Sequence, residues 1–239
     1  SESYRWSLDA WNYAFNGDLT YASIPEALTN SLVYALGCLV ISCFLGFFVA
    51  QSIRSLEQNG RPRLAQTVDL LSMLPLALSG VMVGLGVLLG ILKIWPIMFS
   101  WYALPILPHA MLTTPFVVRI LLPAMREMDS DYDDAGKVLG YTMMQRFVRI
   151  KLPLLKPQLI VASALSMAFS LGEFGASWIL LRSGAWDTLP VLVDQLMSRP
   201  KYFELVEPIA MATATVLMCM TFLLFVIAER FRSHQGGGF

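Results

Sequence analysis

Three side chains that can carry a charge or a proton lie inside long apolar stretches: His109, Arg119 and Glu173. A charged group at the centre of a membrane costs about 2.5–3.5 kcal/mol on insertion scales, so it needs a partner, water or a function. Glu173 stands between Gly172 and Gly175, which weaken a helical turn, and transporters place broken turns beside a substrate path. Two interpretations stay open for Glu173: a pathway or gating group, or a carboxylate that holds a helix interface through backbone donors.

Arg119 and His109 each have two interpretations as well. The long side chain of Arg119 can reach cytoplasmic phosphates, Glu173 or the polar loop that follows it, or it can serve a structural role at the interface. His109 can titrate in the pathway, or it can be a packing residue near the outer end of its helix.

Motifs of enzymes and metal sites are missing from the sequence. It contains no H-E-x-x-H, no G-x-S-x-G and no G-x4-G-K-[ST], so we expect neither catalytic residues nor a metal site, and any ATP chemistry must come from another polypeptide. The three cysteines, Cys38, Cys43 and Cys219, lie in apolar runs without disulfide or metal spacing, and we expect them to be buried small hydrophobic residues. No cofactor is expected on this chain.

The composition indicates a membrane protein. Among the 239 residues, 56% are hydrophobic and only 14% are charged, and the formal net charge of zero argues against a nucleic-acid partner. Apolar runs predict five transmembrane helices at about 28–51, 68–92, 102–125, 159–181 and 208–228, the third broken by Pro105, Pro108 and Pro115. The expected fold class is an all-α membrane protein, a polytopic helical bundle.

The segments outside and between the spans have their own expectations. Residues 1–27 form an external segment with a candidate interfacial helix, for which a packed loop is the alternative, and residues 233–239 form a flexible tail. Gly80-x-x-x-Gly84 and Gly86-x-x-x-Gly90 offer two faces of small residues for close helix packing, with a pore-lining role as the alternative.

Basic residues predict the orientation in the membrane. One side carries Arg54, Arg61, Arg63, Arg126, Lys137, Arg146, Arg149, Lys151, Lys156, Arg230 and Arg232, and the other carries Arg5, Lys93, Arg182, Arg199 and Lys201. The positive-inside rule places the first set in the cytoplasm. The N-terminus is therefore expected outside, and the 126–157 loop and the C-terminus inside.

The 126–157 loop contains a spaced set of small, acidic and apolar residues: Asp134, Ala135, Gly136, Gly140, Ile150, Leu152 and Pro153. Their order predicts two short helices that join at Gly140 in a compact elbow. Small residues at Ala135 and Gly136 are expected to let another protein approach the backbone closely, and Pro153 to end the second helix. An ordinary amphipathic linker lying on the bilayer is the alternative.

This spacing, D-A-G-x3-G-x9-I-x-L-P, resembles the cytoplasmic E-A-A-x3-G-x9-I-x-L-P loop of permease subunits of ABC importers at every offset. Asp134 replaces Glu and Gly136 replaces Ala, which preserves charge sign and small size. Two further stretches resemble the iron(III)/thiamine-like branch: P-F-V-V-R-I-L-L-P-A-M at 115–125, and G-E-F-G-A at 172–176 followed by T-L-P at 188–190. The second stretch also resembles molybdate and sulfate permeases.

The resemblance implies a type I importer permease in a bacterial inner membrane, whose elbow is the coupling helix in a groove of an ATPase subunit. Its implied partners are the lipid bilayer, a second permease half (homologous or fused, this chain then being the C-terminal half), two ABC ATPase subunits that bind ATP and Mg, and an extracytoplasmic solute-binding protein. Iron(III) or thiamine is the expected substrate. An oxyanion such as molybdate or sulfate, or a polyamine, is the alternative, and an ATP-independent secondary transporter is a further one.

Overall fold

The computed structural model describes residues 8–17, 22–128, 130–180, 186–199 and 205–233, and every element in these ranges is helical. The helices are α1 (Asp9–Asn16), α2 (Ile24–Gln58), α3 (Pro62–Met73), α4 (Gly80–Ile94), α5 (Ile106–Glu127), α6 (Ser130–Val138), α7 (Met143–Arg146), α8 (Leu152–Gly172), α9 (Gly175–Leu180), α10 (Leu189–Met197) and α11 (Val206–Ser233). Short 3-10 turns cover Leu74–Ala77 and Pro96–Ser100, and a π turn covers Phe147–Lys151. The predicted tail, 233–239, lies almost wholly outside the described residues.

The longest helix, α2, begins at a reciprocal cap. The backbone N–H of Glu26 donates to Ser23 Oγ over 3.4 Å, and the Ser23 N–H donates to Glu26 Oε2 over 2.9 Å. Two of the N–H groups that a helix start leaves without partners are thereby satisfied. The helix runs for 35 residues to Gln58, beyond both ends of the predicted first span.

Four helical runs in the described ranges have the length and composition to cross a membrane: Ile24–Gln58, Ile106–Glu127, Phe147–Gly172 and Val206–Ile227. The predicted second span, 68–92, is not straight. Pro62–Ala77 and Gly80–Ile94 meet at an angle of 103°. Pro75 cannot donate to a helical ladder, and Ser79 starts a new helix by accepting from the Met82 N–H over 3.3 Å. A fifth crossing therefore requires this bent pair to act as one span.

The predicted break of the third span by prolines is wrong. Pro105 precedes the first turn of α5 and Pro108 lies within it, where backbone N–H groups lack helical partners in any case. Pro115 lies inside the continuous helix. In the preceding turn the hydroxyls of Thr113 and Thr114 donate to the carbonyls of His109 and Ala110 over 2.9 and 2.6 Å.

Two buried clusters hold the bundle together. One joins α2, α5 and α8 around residues such as Val117, Leu121 and Leu155. The other joins α1, α2, α10 and α11 around Leu192, Leu196 and Ile209. The predicted helix of the external segment is present at Asp9–Asn16. Between the predicted fourth and fifth spans, where the sequence analysis predicts no helix, the chain forms α10, which has one buried face.

Candidate functional site

The elbow predicted at Gly140 is present. Gly140 adopts φ +71°, a left-handed conformation that favours glycine, and its N–H donates to the Lys137 carbonyl over 2.9 Å. The next helix, α7, begins with a reciprocal cap in which the Thr142 N–H donates to Gln145 Oε1 and the Gln145 N–H donates to Thr142 Oγ1. A left-handed glycine followed directly by a cap fixes the turn between the two helices.

Gly136 is buried and faces into the elbow, where its missing side chain makes room for residues of this chain, so the approach of another protein at Gly136 stays a prediction. A Cβ built on Gly136 would lie 2.9 Å from Arg146 Cγ and 2.9 Å from Ile150 Cδ1. The missing side chain thus lets α6 fold back onto the helix that follows it. Ala135, in contrast, is exposed.

The outer face of the elbow presents apolar side chains. Val138 and Leu139 are 87% and 68% exposed, whereas Asp134 and Lys137 pair over 2.6 Å beside them. An exposed apolar tip on a charged loop is unusual for a surface that meets only water, and patches of this type commonly mark protein contacts. An apolar tip of this kind suits a protein contact and also suits the membrane surface, so both interpretations of the loop stay open.

Pro153 does not end the second helix, which is a further correction. The Phe147–Lys151 π turn runs directly into α8, and the Leu152 N–H donates to the Phe147 carbonyl, five residues back. Such wide turns are one way in which a helix adjusts to an interrupted hydrogen-bond ladder. Helical structure is therefore continuous from Met143 to Gly172, so the elbow is rigidly joined to α8.

Further contacts attach this region to α2 and α5. The Phe147 ring lies 5.0 Å from the ring of Phe47 on α2. Arg126, at the end of α5, holds Glu57 of α2 through two hydrogen bonds of 3.1 and 2.5 Å. Arg54 donates to the Met128 carbonyl over 2.8 Å. Near the elbow, α2 is therefore joined to α5 by two polar contacts and to the π turn before α8 by an aromatic contact.

The predicted break beside Glu173 is confirmed. Helix α8 ends at Gly172, Glu173 is extended, and α9 starts at Gly175. Glu173 Oε1 accepts from the Ala176 N–H over 2.9 Å, and a Cβ on Gly80 would overlap the same carboxylate. Glu173 thus contacts backbone at the starts of both α9 and α4, a geometry that its interface interpretation requires.

His109 is buried, with contacts on both ring nitrogens. Its Nδ1 lies 2.7 Å from Ser170 Oγ on α8, and its Nε2 lies 2.9 Å from Ser177 Oγ on α9. One imidazole from α5 therefore bridges the break around Glu173. Neither serine was singled out from sequence, because serines are common in apolar helices and carry no anomalous charge.

Arg119 reaches neither Glu173 nor the elbow. Its Nη1 lies 3.4 Å from Asp69 Oδ2 on α3, and the arginine side chain is 54% exposed. The pair links α5 to the helix before the 103° bend. Asp69 is a partner that the sequence analysis missed.

The glycine faces of α4 differ in their surroundings. A Cβ on Gly84 would lie 2.8 Å from the Cα of Ala176, whereas Cβ atoms on Gly86 and Gly90 would meet nothing within 4 Å. Close packing is therefore seen at Gly80 and Gly84 and, in the described part of the chain, not at Gly86 and Gly90. The reason is that α9 covers a single face of α4.

The cysteines have three different environments, so the expectation that all are buried is wrong. Cys38 is buried and lies 3.1 Å from Thr113 Oγ1, Cys43 is half-buried, and Cys219 is exposed. All three are free thiols. No group of three or more His, Cys, Asp or Glu side chains within the described ranges is arranged to hold a metal ion.

Comparison with known proteins gives concordant matches. The family model described as "Binding-protein-dependent transport system inner membrane component" matches residues 42–234. The sulfate transport system permease protein CysT of Escherichia coli (strain K12) is 31% identical over 234 residues, covering 91% of this chain and 83% of CysT. The putative 2-aminoethylphosphonate transport system permease protein PhnV of Salmonella typhimurium is 29% identical over 217 residues, covering 88% of this chain and 76% of PhnV.

Solved structures support the fold. A chain of the MetNI methionine ABC transporter, in an inward-facing conformation, superposes with a TM-score of 0.61 at 19% identity, covering 87% of this chain and 95% of that one. Together with the helical bundle described above, this confirms the predicted fold class. The match over residues 42–234 includes the elbow and the break at Glu173, and the chain belongs to the family of binding-protein-dependent transport system inner membrane components, the permeases of type I ABC importers.

Proposed function

We propose that this chain forms part of the membrane pathway of an importer for a small oxyanion, and that its elbow receives the force of ATP binding from a separate subunit. The observation that carries the coupling role is the elbow itself. Its apolar tip at Val138 and Leu139 is exposed, while its base is fixed to α2, α5 and α8. A contact at the tip therefore moves the transmembrane helices as a set.

The substrate proposal rests on the relatives. CysT and CysW of Escherichia coli are named sulfate permeases, at 31% and 30% identity, and PhnV is named for an aminoethylphosphonate. These substrates share a tetrahedral oxyanion group. The oxyanion alternative of the sequence analysis is therefore better supported than iron(III) or thiamine.

The proposed partners follow from the family and from the missing ATP-binding motif. They are two ATPase subunits that supply ATP and Mg, a second permease half and a solute-binding protein outside the inner membrane. Whether the second half is fused to this chain stays a prediction. The proposed pathway or gating residues are Glu173, Gly172, Gly175, His109 and Arg119. All of them except Arg119 lie at or beside the break between α8 and α9, which supports this role.

Purification by a tag on this chain, followed by ATPase assays in lipid, tests the proposal. We expect ATPase subunits to copurify, and hydrolysis to rise when a binding protein loaded with sulfate or a phosphonate is added. Stimulation by an iron(III)- or thiamine-loaded protein alone would overturn the substrate class. Transport without any ATPase partner would favour a secondary transporter.

A pair of variants isolates the docking surface. Leu139→Asp places a charge on the exposed tip of the elbow and should abolish copurification of the ATPase subunits. Leu8→Asp changes a comparably exposed leucine, at 72%, beside α1 and serves as the matched control. Equal ATPase recovery from both variants would contradict docking at the elbow.

A further inference from the structure

Two helix breaks meet at one side chain. The first, at residues 78–79, separates α4 from the 3-10 turn that follows α3, and the second, at residues 173–174, separates α8 from α9. Glu173 accepts from the first turn of α9 through the Ala176 N–H over 2.9 Å, and its carboxylate lies directly against Gly80, the first residue of α4. The two helix starts therefore share one carboxylate: α9 donates a hydrogen bond to it and α4 packs against it.

The two helices that follow the breaks fit closely together. A Cβ on Gly84 would lie 2.8 Å from the Cα and 3.1 Å from the carbonyl oxygen of Ala176, and a Cβ on Gly175 would lie 3.0 Å from the Val81 nitrogen. Helix α9 has only six residues, too few to be stable alone. It is therefore held in place by α4 and by the cap at Glu173.

The contact of α9 with the rest of the bundle is of another kind. His109 Nε2 meets Ser177 Oγ at 2.9 Å, while Nδ1 meets Ser170 Oγ at 2.7 Å on the other side of the break. Hydrogen bonds between side chains can exchange partners more readily than backbone packed on backbone. The α8–α9 angle is thus set by contacts that can be remade.

We infer that Glu173 is a positioning residue that makes α4 and α9 one unit, which turns about the breaks at 78–79 and 173–174 while His109 sets its resting angle. This inference rests on the proposed function only for the source of the force. The elbow moves α8, α8 ends at the second break, and the α4–α9 unit follows as one body.

Distances between spin labels test the unit without any substrate. The first pair of labels, at Leu89→Cys and Trp178→Cys, reports the distance between α4 and α9. The second pair, at Leu165→Cys and Trp178→Cys, reports the distance between α8 and α9. All three positions are exposed. Both pairs are placed in a background whose native cysteines are replaced, and measured in lipid. Glu173→Ala should broaden the α4–α9 distance distribution, and Glu173→Gln, which retains an oxygen that accepts from Ala176, should leave it narrow.

His109→Ala provides the complementary measurement. It should broaden the α8–α9 distribution and leave the α4–α9 pair narrow, because it removes only the bridge across the break. An unchanged α4–α9 distribution in Glu173→Ala, or equal broadening of both pairs in each variant, would overturn the inference. Neither result depends on ATPase subunits or on substrate identity, so failure of the oxyanion proposal remains distinguishable.

Discussion

At the scale of single residues, His109 makes two buried polar contacts where α5, α8 and α9 meet. His109 fills the space between Ser170 and Ser177, and both hydroxyls use its ring as a partner. Removing the ring leaves two buried hydroxyls without that partner and creates a cavity, and both effects cost free energy.

His109→Ala should lower the free energy of unfolding by about 2–4 kcal/mol, the sum of a partly collapsed cavity and lost hydrogen bonds. Thermal unfolding of the purified protein in a lipid-like detergent measures the loss. Ser177→Ala removes one hydroxyl and should cost about 1 kcal/mol. A His109→Ala protein as stable as the parent would show that the imidazole is not a packing residue.

Sequence reasoning identified His109, Arg119 and Glu173 because charged or ionisable groups are anomalous in apolar stretches. It could not identify their partners. Asp69 looks like an ordinary polar residue near a helix end, and Ser170 and Ser177 look like ordinary membrane serines. Their importance comes from distances across the bundle, which no local pattern encodes.

At the scale of elements, the glycines within helices differ in how much space a side chain would have at each position. A Cβ on Gly46 of α2 would lie 2.6 Å from the Cβ of Val117 on α5, while one on Gly90 of α4 would meet nothing. Gly46→Ala should therefore lower stability by about 1–3 kcal/mol through overpacking. Gly90→Ala should raise it by about 0.5–1 kcal/mol, because alanine favours the helix. The free energy of unfolding of both variants, measured by denaturation, shows whether each glycine is needed for close packing. A similar loss of stability in both variants would contradict the packing described here.

The elbow allows a second paired test, with equal strain at two sites. Gly140 and Gly60 have φ of +71° and +70°, and a Cβ on either would meet nothing within 4 Å. Alanine at each should cost a similar amount, about 1–2 kcal/mol, for the left-handed conformation. Only Gly140→Ala should reduce copurification of ATPase subunits, because it bends the docking elbow. Equal recovery from both variants would assign Gly140 a purely structural role.

The elements themselves were predictable where a pattern is local. The capped start of α2 near Pro25, the elbow at Gly140 and the break beside Glu173 all follow from caps and glycines. The proline-based predictions were wrong, because Pro115 lies inside a continuous helix and Pro153 follows a π turn that runs directly into α8. These compensations come from neighbours in the fold, so the residue type alone gives the wrong answer.

At the scale of the whole molecule, apolar runs predicted the approximate positions of four long helices, whereas the fifth predicted span, 68–92, falls on a bent pair of helices. The 103° bend after α3 and the burial of α10 were not predictable, because both depend on helices distant in sequence. Helical spacing is present in α10 at Leu189, Leu192 and Leu196, but a loop of mixed composition can show the same spacing. What makes this segment a buried helix is its contact with α2 and α11.

Orientation is the last property that the charges predict. Basic residues concentrate around the elbow and beyond α2, and the positive-inside rule places this side in the cytoplasm. Leu139→Cys, on the elbow, should react with a membrane-impermeant maleimide only in inverted vesicles. Ile97→Cys, 91% exposed in the turn between α4 and α5, should react only in right-side-out vesicles. Native Cys219 is replaced first because it is exposed. The reversed pattern would place the elbow away from cytoplasmic ATP, and it would therefore refute the coupling role together with the orientation.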